Sequence, residues 1–255
     1  MFMRLLSLGL AGVMLVGNGS VRADDAADCK ELVEKVLKAA GGEERLSKIK
    51  CQTHKAKGNL TGGEAPIPYT IDFQQTFPTK VRIEQTIERE GQKATTLLLT
   101  DGANGWVKGE EGAQDMGDDF NKQIVAALHK NWLTTVLPLK DASLKLKSLG
   151  ASKIGDRDVV GIQVSAKDRP DVNLYFDAKT NLIVRSTYKS RPPMSDGDVE
   201  TVQDFSDHKA IDGVQVAMKN KVTRGEKPYM EYEYQEVKFV DSLDESLFKK
   251  PKDAE

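Results

Sequence analysis

Three histidines, two cysteines and a scatter of carboxylates are the side chains of this 255-residue chain that could support acid–base, nucleophilic or metal chemistry. Their spacing does not gather them. His54 lies in a polar strand, His129 beside Lys130 on a helix, and His208 after Asp207 near a turn. None stands at a metal-ligand spacing from another histidine or from Cys29 or Cys51, and the cysteines form no Cys-x-x-Cys motif. No Gly-x-Ser-x-Gly elbow, glycine-rich phosphate loop or His-Glu-x-x-His helix occurs. Glu110-Glu111 reads as a solvated loop, and Asp118-Asp119 as the cap of a helix whose positive end favours acid groups. Glu231, Glu233 and Glu236 fall around Tyr232 and Tyr234 as on an exposed strand face. A hydrolase would need a hidden convergence of residues such as Asp204 and His208. The sequence therefore assigns no catalytic residue, metal ligand or cofactor site.

What is unusual is apolar. Leu97 to Leu99 form an unbroken run, Trp106 follows a tight turn, and Trp132 sits on a long helix. Inward sets recur at a period of two: Tyr69/Ile71/Phe73/Phe77, Val81/Ile83/Ile87 and Val172/Leu174/Phe176. Two readings stand. Such residues make an ordinary packed core, or a curved sheet under helices leaves part of the lining free for an acyl chain, which needs few polar contacts. On the second reading the lining residues are Phe73, Ile83, Leu97, Leu99, Trp106, Trp132, Leu174, Phe176, Leu182 and Val184.

These residues need elements to hold them. Asp171 to Lys189 reads as a β-hairpin: Val172, Leu174 and Phe176 alternate with Asn173 and Tyr175, Asp177 to Asn181 turns the chain, and Leu182, Val184, Ser186 and Tyr188 resume the alternation. Asp177 can cap its own turn, and Asn181 tolerates the left-handed conformation such a loop needs. Before it, Leu32, Val33, Val36, Leu37 and Ala40 predict a helix from Asp28 that Gly41-Gly42 ends. A polar, weakly marked strand covers Gln52 to Thr61, and short turns join the following strands into a meander. A helix over Asp118 to Leu137, capped by Asp118 or Asp119 and stopped by Pro138, carries Phe120, Ile124, Ala127, Leu128, Trp132, Val136 and Leu137 on one side. Strands then return through Tyr229 to Phe239, with an exposed loop at Arg191 to Asp198. The tail makes one helical turn at Asp241 to Phe248 and then frays. About ten or eleven antiparallel strands in one sheet must curl, since adjacent strands twist and a flat sheet leaves its apolar face wet. The expected fold is mainly β with α: a strongly curved antiparallel sheet forming an unclosed β-barrel, covered by helices.

Met1 to Arg4 gives a positive start, Leu5 to Val16 an apolar run and Val21-Arg22-Ala23 a small-x-small site, which together read as a secretory signal peptide over residues 1–23. About a dozen apolar residues fall short of the roughly 20 that span a bilayer. Asp28, just before Cys29, occupies a place where a lipoprotein signal has a small residue. Removing residues 1–23 takes Arg4 and Arg22 from 37 basic residues and nothing from 39 acidic ones, which leaves a net charge of about −4. Such a surface does not draw nucleic acid by its field. In an oxidising compartment Cys29 and Cys51, which bracket a helix, point to one disulfide, with two separate buried thiols as the other reading.

The signal peptide, the first helix ending in Gly-Gly, the Thr100-Asp101-Gly102-Ala103-Asn104-Gly105-Trp106 turn with the helix after it, the Leu174-Tyr175-Phe176-Asp177 to Asn181-Leu182 hairpin and the closing Asp244-Glu245-Ser246-Leu247-Phe248 together resemble the LolA/LolB-like family of periplasmic outer-membrane lipoprotein carriers. The resemblance is one of layout, spanning residues 24–255 as a single half-barrel domain. It implies an unclosed barrel with a helical lid and a hydrophobic cavity for acyl chains, without metal, nucleotide or covalent chemistry. It also implies lipid or acylated-lipoprotein cargo, a donor or acceptor protein at an envelope membrane, and a periplasmic or cell-envelope location. An arginine ties barrel to lid in such carriers, and Arg82 is the residue here that could match it. The chain departs from the pattern in its length, its cysteine pair and its charged loops. A cell-envelope binding or structural module with a packed core is the alternative, and an exported hydrolase a third.

Overall fold

The computed structural model describes residues 23–63, 65–191 and 197–251. The expected signal segment up to residue 22 lies outside the described residues, as do residues 192–196 of the exposed loop and the last four residues of the tail.

Among the described residues, thirteen strands form one antiparallel sheet. The first meander comprises β1 (Cys51–Leu60), β2 (Ile67–Thr76), β3 (Lys80–Arg89), β4 (Gln92–Thr100), β5 (Gly105–Gly109) and β6 (Gly112–Asp115). The second comprises β7 (Lys145–Ile154), β8 (Arg157–Ser165), β9 (Val172–Asp177), β10 (Ile183–Ser190), β11 (Val199–Ile211), β12 (Val214–Arg224) and β13 (Lys227–Val240). Each strand pairs with its sequence neighbours, and the meanders are joined by a single seam in which β1 pairs with β13, from Cys51 opposite Val240 to Leu60 opposite Met230. The spatial order runs from β6 through β1 and β13 to β7, so β6 and β7 are free edges and the barrel stays open. The count exceeds the sequence expectation partly because Glu110-Glu111 is the turn of the β5–β6 hairpin and not a plain loop.

Helix α1 (Ala23–Ala40) ends at Gly41 and Gly42, whose φ values of +134° and +88° suit glycine, and a side chain at Gly41 would meet the Gly213 carbonyl at 2.6 Å. The short α2 (Glu43–Leu46) follows, and α1 lies against β7 and β12. Helix α3 (Asp118–Leu133) connects β6 to β7, the two opposite edges, and must therefore cross the whole sheet. Its Ile124 and Leu128 sit on Phe73, Val81, Ile83 and Leu98 of β2–β4, while Leu133 at its far end joins Val36 and Leu37 of α1 over Ile162, Leu174 and Phe176 of β8 and β9. One straight helix touches both wings only if the sheet curls toward it, and that contact defines the concave face.

Gly117, not Asp118 or Asp119, is the N-cap of α3, and the two acids occupy its first turn, where they meet the positive end of the helix dipole. The helix also stops short of Leu137. Thr134 and Thr135 turn their hydroxyls back to the Asn131 and Trp132 carbonyls at 2.6 and 2.7 Å, Val136 takes a left-handed φ of 62°, and Pro138, with no N–H to donate, opens a 3-10 turn over Leu137–Lys140. The residues of α3 that bury deepest are Asn121, Val125, Leu128, Lys130 and Leu133, a stripe rotated from the expected one because both wings press on the helix.

The β9–β10 hairpin forms as its sequence predicts. Asp177 Oδ1 accepts from the Lys179 and Thr180 amides at 2.9 and 2.8 Å, and Asn181 is left-handed at φ 57°. Cys29 and Cys51 are both buried and are not joined by a disulfide in the structure; Cys51 Sγ lies 3.3 Å from Thr76 Oγ1. Among the described residues no helix is long and apolar enough to cross a membrane.

Candidate functional site: a cavity beneath the crossing helix

Because α3 rests on both wings, the middle strands β1, β13 and β12 lie beneath it without being filled by it. The gap is a cavity of about 360 Å³. Ile71, Phe73 and Ile83 line one side, Phe205, Val214 and Val216 the other, and Met230 and Phe239 the floor. Trp132 and Val136 form the roof, while Leu46 and Ile49 close one end. This surface is mostly apolar, with polar groups drawn from a few inward positions.

Three of those polar groups, Gln203, Asn220 and Tyr232, are joined to one another and to a lysine behind the lining. Lys130, 4% exposed, descends from α3 and donates to Gln203 Oε1 on β11. Gln203 Nε2 in turn donates to Asn220 Oδ1 and to the Tyr232 hydroxyl, both at 3.0 Å. The Lys130 ammonium also sits 5.5 Å from the centre of the Tyr188 ring. Burial, with no acidic group contributing, pushes Lys130 down to about 7. Across the floor, His54 stacks on Phe73 with ring centres 4.2 Å apart and tilts against Tyr234 at 4.5 Å. It keeps some surface open to the hollow although it lies deep in the molecule, and that depth pushes it down to about 3, so it is neutral. Burial likewise raises Tyr69, Tyr232 and Tyr234 and keeps them as phenols. Tyr69 Oη, Gln75 Nε2 and His208 Nε2 are buried, belong to lining residues and have no hydrogen-bond partner among the described residues.

Of the ten residues expected to line a cavity, Phe73, Ile83, Trp132 and Leu182 do so. Leu174 and Phe176 face the same concave side but are sealed, at 0% and 1% exposure, under α1 and the end of α3. Leu97 and Leu99 do not face it. In the β3–β4 register Leu98 pairs with Ile83 and points inward, which sends Leu97, Leu99 and the Trp106 opposite Leu99 to the other face. Val184 is displaced by a β-bulge between Ile183 and Arg185: Ile183 takes the inward place opposite Phe176, and Val184 borders an outer depression with Arg185 and Asp204. Arg82 bonds Glu84 on its own strand at 2.8 Å, and the side chain that ties sheet to helix is Lys130. Asp204 is held by Arg185 at 2.6 and 3.0 Å on that outer depression while His208 lines the cavity, so the two do not converge. The sequence singles out neither Lys130 nor Gln203 nor Asn220, and it offers His54 only as a residue of a polar strand. Gln203 and Asn220 carry a legible signal, since each interrupts an inward series, Thr201/Gln203/Phe205 and Met218/Asn220/Val222, where a packed sheet would hold apolar residues.

No protein-family model matches the sequence, and neither does any curated protein. Solved structures do match in shape. A DUF1329 family protein from Desulfovibrio piger aligns with a TM-score of 0.57 at 13% identity, over 87% of this chain and 97% of its own. A LolA superfamily protein from Nitrosomonas europaea gives the same values. A protein from Vibrio parahaemolyticus described as the domain of an outer membrane lipoprotein-sorting protein aligns with a TM-score of 0.51 at 12% identity, over 85% of this chain and 97% of its own. At such identities the likeness concerns the backbone. The chain has the LolA-like fold, a curved antiparallel sheet left open at its edges and crossed on its concave side by a helix.

Proposed function

We propose that the protein is an exported carrier that shields the acyl chain of a lipid or acylated lipoprotein in the cavity beneath α3. The observation that carries this is the hollow itself: about 360 Å³ of largely apolar space between the middle of the sheet and the helices above it. Moving each methylene from water into such a space contributes about 0.8 kcal/mol, so a chain binds tightly with few directional bonds. The LolA-like fold and the signal-like residues 1–23 agree with an envelope location. Helix α3 packs on both wings and is latched in its last turn by Lys130 on Gln203, so a modest shift of that end would admit or release a chain. Delivery to a donor or acceptor protein at a membrane follows from the same reading.

Delipidated protein should take up a fluorescent fatty-acid probe. A folded Leu182→Asp variant, with a charge placed in the lining, should lose most of that uptake, whereas Trp106→Asp on the opposite face should keep it. Equal uptake by all three proteins would remove the cavity from the function and favour the packed-core module.

A further inference from the structure

We propose that the cavity selects a single-chain amphiphile ending in a carboxylate, a fatty acid by chemical class, with the acid group drawn to Lys130 at the Gln203–Tyr232 end. The inference rests on the cavity reading above and adds to it the headgroup and the number of chains.

Charge comes first. Among the described residues, buried Lys130 meets neutral groups and no acid: the Gln203 amide on β11, the Tyr188 ring on β10 and, one bond further, Asn220 and Tyr232. The other charged group that acts on Tyr188 is a second cation, Arg224 on β12. A buried ammonium without an anion is costly. Gln203 faces the cavity, so an entering carboxylate has only to displace one amide oxygen from Nζ to supply the missing counter-charge.

The second observation concerns donors. Tyr69, 2% exposed, and Gln75, 3% exposed, line the cavity with a hydroxyl and an amide nitrogen that meet no acceptor among the described residues. Tyr69 acts electrostatically on Tyr232, which places it at the same end as the Lys130 network. A hollow with a spare hydroxyl at that end, and a cation held behind its lining residue Gln203, suits a group that only accepts, as an ionised carboxylate does.

Volume sets the chain count. A methylene fills about the space of a water molecule in the liquid, roughly 30 Å³, so 360 Å³ holds a chain of about a dozen carbons. That is room enough for one chain of medium length. Its far end would meet Phe239, Val216 and Ile49, beside Gln52 and Gln75 and away from the Lys130 network, so the donor at the headgroup end is Tyr69.

The test compares dodecanoate with dodecanol by titration calorimetry at pH 8, in buffers of unequal ionisation enthalpy. Dodecanoate should bind wild type at least tenfold more tightly than dodecanol, with net proton uptake as Lys130 is recharged beside the carboxylate; dodecanol should take up none. Lys130→Met, which keeps the length and removes the charge, should lose the preference and the proton uptake together. Equal affinities for the two ligands without proton uptake by wild type would overturn the headgroup assignment and leave the cavity reading standing. Failure of both ligands to bind wild type would overturn both. The wild-type comparison decides the matter even if the variant does not fold.

Discussion

The β8–β10 wing and the β1–β13–β12 trough belong to one sheet and face the same helices, yet one is filled and the other hollow. On the wing, Ile162, Val172, Leu174 and Phe176 are 0–2% exposed beneath Val33, Val36 and Leu37 of α1 and Leu133 of α3. In the trough, Gln52, His54 and Tyr234 face inward and meet a cavity instead of a helix. The difference follows from connectivity. A helix that must run from one free edge to the other is pressed against the upturned wings and held off the middle. Side chains that meet a partner are selected for packing, and those beneath the span are left to define what can enter.

If that contrast is right, stability and uptake respond in opposite ways to truncation in the two regions. Phe176→Ala on the wing should cost about 3–5 kcal/mol in urea unfolding and change probe uptake little. Leu182→Ala in the cavity wall should cost about 1 kcal/mol and weaken uptake more than the wing variant does. Comparable stability losses would mean that the trough is packed after all. The seam is the next place to press. A methyl at Gly58 on β1 would lie 2.0 Å from the Glu231 carbonyl of β13, and backbone cannot step aside as a side chain can. Gly58→Ala should therefore cost about 3 kcal/mol and abolish uptake by disturbing the floor, whereas Gly109→Ala, where a methyl meets nothing, should do neither.

Titration sharpens the contrast further. His54 is held at about 3 in the fold against 6.5 when unfolded, so the unfolded chain takes up a proton first as the pH drops. Its contribution is fully present above 6.5 and is lost progressively toward 3. Lys130, about 7 against 10.5, has the same sign in a higher window, with stability lost as the pH falls from 10.5 to 7. Denaturant melts across both windows should show these slopes, and His54→Phe and Lys130→Met should each flatten its own. The smallest effect belongs to the outer face. Arg185→Ala breaks the bidentate pair with Asp204 and should cost about 1 kcal/mol or less in the same melts, since the pair is partly in water.

The same contrast explains what the sequence disclosed. Where an inward residue meets a helix, alternation is clean, and the Val172/Leu174/Phe176 strand with its Asp177–Asn181 turn was readable down to the left-handed Asn181. The curved, unclosed sheet was legible from the one-sided strands. Strand β1 looked polar and doubtful although it lies at the middle of the sheet, because Gln52 and His54 face a hollow and had no reason to be apolar. Leu97 and Leu99 misled for another reason: in an apolar run of three residues the period of two cannot choose a face, and only the pairing of Leu98 with Ile83 does. Val184 was lost to a bulge that no local pattern announces. Lys130 was hidden because a lysine on a helix is ordinarily solvated, and its burial depends on a strand much later in the chain.

The seam has a consequence in time. The floor of the hollow joins the first strand to the last, Cys51 with Val240, whereas every other ladder joins neighbours along the chain. Contacts so distant in sequence form slowly, because a long loop must close before they are rewarded. Until β13 docks, β1 offers one bare row of amides and carbonyls. Pulse-labelled hydrogen exchange during refolding should find amides of β8–β10 protected before those of β1, and the cavity beneath α3 would then be the last feature of the molecule to come into being.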